Sequence, residues 1–132
     1  MANPIIHHIH ILCHDLDTMI EFWTEALDAK MIRRRLFFGD PGAELDLGVS
    51  SVPLFLRQVT DNGDNGGGGA SGLGYDHVAL LVDDLDFALE KALKHRHASI
   101  HIEPGMTGTM RYCFVKGPDN LLVELMQPPS SD

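Results

Sequence analysis

Two histidines and one glutamate are the residues whose types and spacing could bind a metal ion. His8 and His77 open two similar segments of the chain, and Glu124 lies in its last apolar run. Two neutral imidazoles and one carboxylate form the ligand set of non-haem Fe(II) oxygenases, and the same set suits Mn or Zn. This set leaves coordination positions open for substrate, water or O₂, which is typical of catalytic metal sites. The alternative for each histidine is a hydrogen-bonded residue that fills a strand.

The elements that position these residues follow from an internal repeat. With an offset of 69 residues, His8-Ile-His-Ile-Leu-Cys-His-Asp-Leu-Asp lies over His77-Val-Ala-Leu-Leu-Val-Asp-Asp-Leu-Asp. The same register continues without a gap and places Phe55 on Glu124. The chain is therefore expected to contain two copies of one module.

Each copy has the pattern of a βαβββ unit. An alternating apolar run suggests a strand, Asp-Leu-Asp then supplies a helix N-cap, and an apolar stripe suggests an amphipathic helix on a sheet. The predicted strands are 5–13, 30–38, 43–49 and 53–59 in the first copy and 75–82, 98–103, 110–116 and 121–127 in the second, with helices at 17–28 and 86–96.

Strand alternation also assigns the side chains to faces. His8, His10 and Leu12 share one face of the first strand, and the aliphatic face opposite is expected to pack on the helix. In the last strand Glu124 and Met126 share a face. A lone buried carboxylate is costly, so Glu124 should stay protonated or find a partner. A divalent cation shared with two imidazoles is such a partner.

The segment between the copies, residues 61–74, contains seven glycines, which is the composition of a flexible linker. No Gly-Lys-Ser/Thr follows it, so it is not a phosphate loop; a plain connector is favoured, with a functional lid as the alternative. The predicted organisation is one domain over 1–132, with a first module at 1–60 and a second at 75–128.

Composition limits the partners. The chain has 132 residues, 44% of them apolar, and a net charge of −9. Its one basic cluster is Arg33-Arg34-Arg35, so binding to nucleic acid or to an anionic membrane is not expected. No apolar run reaches the length of a membrane span, and the N-terminus lacks the pattern of a secretory signal.

Cysteine usage fits a reducing compartment. Cys13 and Cys113 are isolated and form no CxxC motif. Two free thiols are typical of a cytoplasmic protein, with a disulfide between them as the alternative.

Three motifs resemble those of the vicinal oxygen chelate superfamily, which includes glyoxalases, bleomycin-resistance proteins, extradiol dioxygenases, fosfomycin-resistance proteins and methylmalonyl-CoA epimerases. Two are the repeated segments that begin at His8 and His77. The third, Phe114-Val-Lys-Gly-Pro-Asp-Asn-Leu-Leu-Val-Glu124, is similar to the family's aromatic-x-x-Asp-Pro-Asp-Gly-x-x-x-Glu ending. The resemblance implies an α+β fold in which two tandem βαβββ modules form a half-open barrel around a metal cavity, often within a homodimer. It also implies that the metal is held by the two histidines and the glutamate named above.

Within the superfamily, the ligand set favours an extradiol-type ring-cleaving dioxygenase that acts on a small molecule. Glyoxalases and epimerases usually bring a fourth ligand from the end of the first module, but that position here is Phe55. Fosfomycin-resistance transferases carry a threonine two residues after the first histidine, where this chain has His10. The tyrosine of extradiol enzymes falls on Phe114, so Tyr112 on the same strand face would have to substitute.

The remaining site predictions concern proton transfer and substrate contacts. His10 or Tyr112 would move the proton, and Arg57 would hold an anionic substrate group. The alternatives are packing for Tyr112, a hydrogen-bonded core group for His10 and a solvent-facing charge at the sheet rim for Arg57. Apolar walls around the substrate are expected from Phe55, Phe114 and Met126. The expected cofactor is a divalent metal ion, with Fe(II) favoured over Mn, Zn or Ni.

Two other functions remain open. In a glyoxalase-like lyase or isomerase, the metal polarises an enediolate and Glu124 or a bound water takes the proton. In a metal-free binding protein of the bleomycin-resistance kind, the cavity only holds a ligand.

Overall fold

The computed structural model describes residues 6–48, 52–60 and 76–130. The linker predicted at 61–74 lies outside the described residues. The chain divides into two compact units, Met1–Gly63 and Asp64–Asp132. Each unit contains a helix and a four-stranded sheet.

The first unit is a βαβββ module. Its elements are β1 (Ile9–Cys13), α1 (Leu16–Glu21) with a π-helical continuation (Phe22–Ala26), β2 (Lys30–Phe37), β3 (Asp40–Asp46) and β4 (Leu54–Gln58). The strand order is β1-β4-β3-β2, in which β1 is parallel to β4 and the other pairs are antiparallel.

The second unit repeats this plan. Its elements are β5 (Val78–Leu81), α2 (Leu85–Leu93), β6 (Ser99–Thr107), β7 (Met110–Lys116), a 3₁₀ turn (Pro118–Asn120) and β8 (Leu122–Gln127). The strand order is β5-β8-β7-β6, again with the first and last strands parallel. Ile9 pairs with Leu54 and Val78 with Val123, which is the predicted offset of 69 residues in both partners. The predicted α+β fold of tandem βαβββ modules is therefore confirmed.

The two helices begin in the same way. Asp15 and Asp84 are the N-caps, and each accepts a hydrogen bond from the backbone N–H three residues later at 3.1 Å. The first residue of each helix also donates its N–H to a glutamine in the module's last strand, in the pairs Leu16–Gln58 at 2.9 Å and Leu85–Gln127 at 2.7 Å. These bonds tie each helix start to its sheet.

The aliphatic face of each sheet is buried, as alternation predicts. In β1, Ile11 and Cys13 are buried, whereas His10 and Leu12 on the other face are partly exposed. In β8, Val123 is fully buried. The histidine-bearing face of each sheet is therefore the less buried of its two faces.

The first helix differs from the regular α-helix predicted over 17–28. Beyond Glu21 it widens into the π-helical stretch Phe22–Ala26. Phe22 and Trp23 are adjacent and both fully buried. A π-helical stretch changes the angle between successive side chains around the helix axis. Here it coincides with the burial of the adjacent side chains of Phe22 and Trp23.

Two strands also begin or end beyond their predicted limits. The strand predicted over 98–103 is longer in the structure, where β6 continues through Pro104 and Gly105 to Thr107. Its pairing with β7 is irregular between Ile102 and Gly105, and β6 is an edge strand, where proline is tolerated. Similarly, β3 begins at Asp40 because Pro41 can occupy the start of a strand. Within the described residues, no helix is long and apolar enough to cross a membrane.

Candidate functional site

The second module brings His77 and Glu124 together. His77 Nε2 lies 3.0 Å from Glu124 Oε1, with side-chain exposures of 29% and 13%. The pairing of β5 with β8 produces this contact, because Ala79 lies opposite Glu124 in the parallel ladder and His77 precedes it on the same face. The partly buried carboxylate thus has an imidazole within hydrogen-bond distance, whereas the sequence predicts a divalent cation as its partner.

The second ring nitrogen of His77 is held by a residue that the sequence analysis did not single out. His77 Nδ1 lies 2.8 Å from Asp76 Oδ2. A carboxylate on the far nitrogen fixes the tautomer and ring orientation of a histidine and raises its basicity, which is the usual arrangement around metal-binding histidines. An acidic residue beside a candidate ligand histidine was the signal available in the sequence.

An aromatic wall borders this pair. Phe114 lies opposite Glu124 in the β7–β8 ladder, and its ring centroid is 4.8 Å from that of His77. Tyr112 lies two residues earlier, opposite Met126, with its ring 6.2 Å from Phe114. The structure therefore places Tyr112, Phe114 and Met126 on the same face as the histidine–glutamate pair.

The His77–Glu124 geometry fits a shared metal ion. Two ligand atoms about 2.1 Å from one ion lie about 3.0 Å apart in an octahedral site and about 3.4 Å apart in a tetrahedral one. The separation of 3.0 Å between the two atoms equals the octahedral value and is also the ordinary length of an N–H···O hydrogen bond, so the pair is compatible with either arrangement. The donor set of one imidazole and one carboxylate suits Fe, Mn or Zn.

The first module places His8 beside Phe55. The two rings stack with centroids 4.2 Å apart and planes 22° from parallel. His8 is exposed, and its Nδ1 lies 3.0 Å from Nδ1 of His7. The position where relatives with four ligands would carry the fourth is thus occupied by an aromatic ring that stacks on the candidate ligand.

His10 lies two residues further along the same face. Its ring contacts Phe37 at 5.0 Å and Phe55 at 6.1 Å between centroids. Its Nε2 is buried without a hydrogen-bond partner among the described residues. Burial lowers the pKa of His10 below its ordinary value, and neighbouring positive charges, first that of Arg57, lower it further. The imidazole is therefore neutral near pH 7.

Arg57 is half-buried on this face, not a freely solvated rim charge. Its side chain is 22% exposed, and its Nε is 3.9 Å from Asp40 Oδ2, which is too long for a hydrogen bond. Arg35 lies over the Phe37 ring at 4.3 Å and over the Phe55 ring at 5.6 Å. Sequence analysis identified Arg57 but missed Arg35, although its position two residues from Phe37 on one strand face was the available signal.

Comparisons with known proteins agree with this architecture. Tandem βαβββ modules define a fold class that includes the solved structures of a glyoxalase I and of a fosfomycin resistance protein. The chain matches the family model for the Glyoxalase/Bleomycin resistance protein/Dioxygenase superfamily over residues 5–125, and it belongs to that superfamily.

Individual relatives extend over most of the chain. A probable lactoylglutathione lyase of Vibrio cholerae is 30% identical over an alignment of 142 positions including gaps, which covers 96% of this chain and 93% of that protein. The solved structure of the trypanothione-dependent glyoxalase I of Leishmania major is 28% identical with a TM-score of 0.72, covering 95% of this chain and 87% of that one. A glyoxylase/bleomycin resistance protein/dioxygenase domain from Frankia has a TM-score of 0.80 at 20% identity, over 99% of this chain and 96% of that one, and shows the fold.

Proposed function

We propose that this protein is a metal-dependent lyase or isomerase of the glyoxalase type, which moves a proton between adjacent carbons of a small molecule. The observation that supports it most directly is the His77–Glu124 pair, whose 3.0 Å separation suits two ligands of one ion. His8 is the proposed third ligand, through Nε2, since its Nδ1 contacts His7.

The relatives favour a lyase over the ring-cleaving dioxygenase preferred from the sequence. The Vibrio cholerae protein and a second one from Vibrio parahaemolyticus are both described as probable lactoylglutathione lyases. The proposed substrate class is therefore a hemithioacetal formed from a thiol and a 2-oxoaldehyde. Phe55 sets this chain apart from enzymes with four protein ligands, so the proposed site leaves one more position for substrate or water.

The proposed reaction assigns tasks to the chain's own residues. A bound divalent cation would stabilise the negative charge that develops on the substrate's oxygens. The Glu124 carboxylate would accept the proton from one carbon and return it to its neighbour. His77, oriented by Asp76, would hold its place beside Glu124. Phe114 and Tyr112 would shield the reacting carbons from water.

The test is turnover of the hemithioacetal of methylglyoxal and glutathione, followed by thioester absorbance under anaerobic conditions. Chelated protein should be inactive and should recover on addition of Ni, Zn, Mn or Fe(II). Glu124→Gln should lower kcat by about 100-fold or more, because it removes the proposed base and a proposed ligand. Glu103→Gln, an exposed glutamate on β6, is the matched control and should keep full activity.

Contrary results are clear-cut. Oxygen consumption with a catechol, together with absent hemithioacetal turnover, would return the protein to the dioxygenase class. Equal activity of Glu124→Gln and Glu103→Gln would remove Glu124 from the reaction.

A further inference from the structure

The histidine-bearing face of the first sheet collects positive charge in an acidic protein. Two neighbouring rows of paired residues cross the four strands of this sheet. The first row is His10, Phe55, Glu44 and Arg33. The second row is Leu12, Arg57, Gly42 and Arg35. Residues paired directly across strands point to the same face. This face therefore carries three arginines, while the whole chain has a net charge of −9.

The carboxylates on this face do not satisfy the arginines equally. Glu44 hydrogen-bonds Arg33 at 3.2 Å and lies 3.9 Å from Arg35. Asp40 is also 3.9 Å from the Nε of Arg57. Among the described residues, the carboxylates nearest to Arg35 and Arg57 thus lie beyond hydrogen-bond distance.

Two donors in this region are buried without a hydrogen-bond partner among the residues that the structure describes. They are the Nε of Arg57 and, in the tautomer that carries its proton there, the Nε2 of His10. A buried N–H that makes no hydrogen bond costs free energy comparable to a lost bond. In native proteins such donors are completed by a ligand, an ion or a water molecule, or they serve catalysis.

Aromatic rings frame these donors. Phe37 and Phe55 lie 5.1 Å apart, and both contact the ring of His10. Phe37 reaches this place because Gly42 has no side chain: a Cβ on Gly42 would come 2.3 Å from Cδ2 of Phe37. The guanidinium of Arg35 stacks on Phe37 at 4.3 Å, which fixes its orientation.

We propose that His10, Arg35 and Arg57 form a binding site for the carboxylate group of a compact apolar or aromatic acid. Guanidinium groups present N–H donors in the plane that matches a carboxylate. The partly exposed ring of Phe55 contacts the body of the molecule, and the buried ring of Phe37 supports Arg35 from below. This site lies on one face of the first sheet and goes beyond the proposed function, because none of its three residues has a task in the proposed reaction.

Benzoate is the probe, and benzamide is its neutral analogue of the same shape. Binding is measured by calorimetry on the chelator-treated full chain, so that a metal ion does not contribute. Wild type should bind benzoate saturably and benzamide about tenfold more weakly, because the amide loses the charge-assisted bonds. Arg57→Gln and Arg35→Gln should each weaken benzoate binding about tenfold.

The matched control is Arg34→Gln. Arg34 has the same charge on the same strand, but it pairs with the exposed Asp17 instead of facing His10. Its loss should change benzoate affinity by less than about twofold. If Arg57→Gln does not fold, Arg57→Lys keeps the charge, loses the planar fork and should give an intermediate loss.

Equal binding of benzoate and benzamide, equal effects of Arg57→Gln and Arg34→Gln, or no saturable benzoate binding would each overturn the carboxylate site. Hemithioacetal turnover is measured on the same preparations. Charge-selective benzoate binding without turnover would retain the carboxylate site and remove the proposed function. Turnover together with benzoate binding that is unchanged by Arg35→Gln and Arg57→Gln would retain the proposed function and remove the carboxylate site.

Discussion

Gly42→Ala tests the packing that positions the aromatic rings of the first module. The added Cβ would lie 2.3 Å from Cδ2 of Phe37 and 2.6 Å from the backbone oxygen of Leu56. The Phe37 ring can swing away, but the Leu56 carbonyl belongs to β4 and cannot move without disturbing the sheet. Phe37 is only 6% exposed, so its displacement also returns apolar surface to water.

The expected cost follows from these contacts. Overpacking of this kind typically destabilises a protein by about 1–3 kcal/mol, and replacing glycine by alanine in the unfolded chain recovers about 0.4–1 kcal/mol. We expect a net loss of about 1–2 kcal/mol in the free energy of unfolding.

Gly105→Ala is the matched control, because Gly105 also lies beside an aromatic ring in a strand. Its added Cβ would meet the Tyr112 ring at 3.6 Å, an ordinary van der Waals contact, and no loss is expected. Urea unfolding gives both values. Trp23, the single tryptophan, reports on the first module by fluorescence, and circular dichroism reports on both modules. A Gly42→Ala protein as stable as Gly105→Ala would refute the packing described for Phe37.

Further predictions concern the second module. Asp76→Ala should weaken Zn binding about 10- to 100-fold in a competition titration, because it removes the carboxylate behind the metal-facing histidine, whereas exposed Asp83→Ala should not. Gln127→Ala should lower the free energy of unfolding by about 1 kcal/mol, because the N–H of Leu85 loses its acceptor; an unchanged urea midpoint would contradict this. Burial raises the pKa of the Cys113 thiol, so its reaction with a disulfide reagent at pH 8 should be slow until urea unfolds the chain; fast labelling of native protein would argue against its burial.

The sheet register could be predicted from the sequence because of the repeat. The gapless offset places Leu54 over Val123, and both are fully buried partners of the first strand of their module. Strand period then assigned His77 and Glu124 to their faces, and the structure brings the two into contact. Periodicity and repetition are patterns along the chain, so they can be recognised in the sequence alone.

Other features depend on three-dimensional packing and could not be obtained that way. The stacking of Arg35 over Phe37 depends on the space above Gly42, which becomes apparent only when β2, β3 and β4 are laid side by side. Continuation of β6 through Pro104 depends on its place at the sheet edge, where a missing N–H costs no ladder bond. The sequence motifs were sufficient to predict the superfamily. The proposed reaction depends on relatives whose activities are described.

The metal content of the purified protein tests the central proposal most directly. Elemental analysis should be made on wild type, Glu124→Gln and the exposed control Glu103→Gln, each purified without a tag and reconstituted with Fe(II), Ni, Zn or Mn. About one ion per chain is expected in wild type and in Glu103→Gln, and little or none in Glu124→Gln. Absence of metal from reconstituted wild type, or equal metal in all three proteins, would contradict a site built on His77 and Glu124.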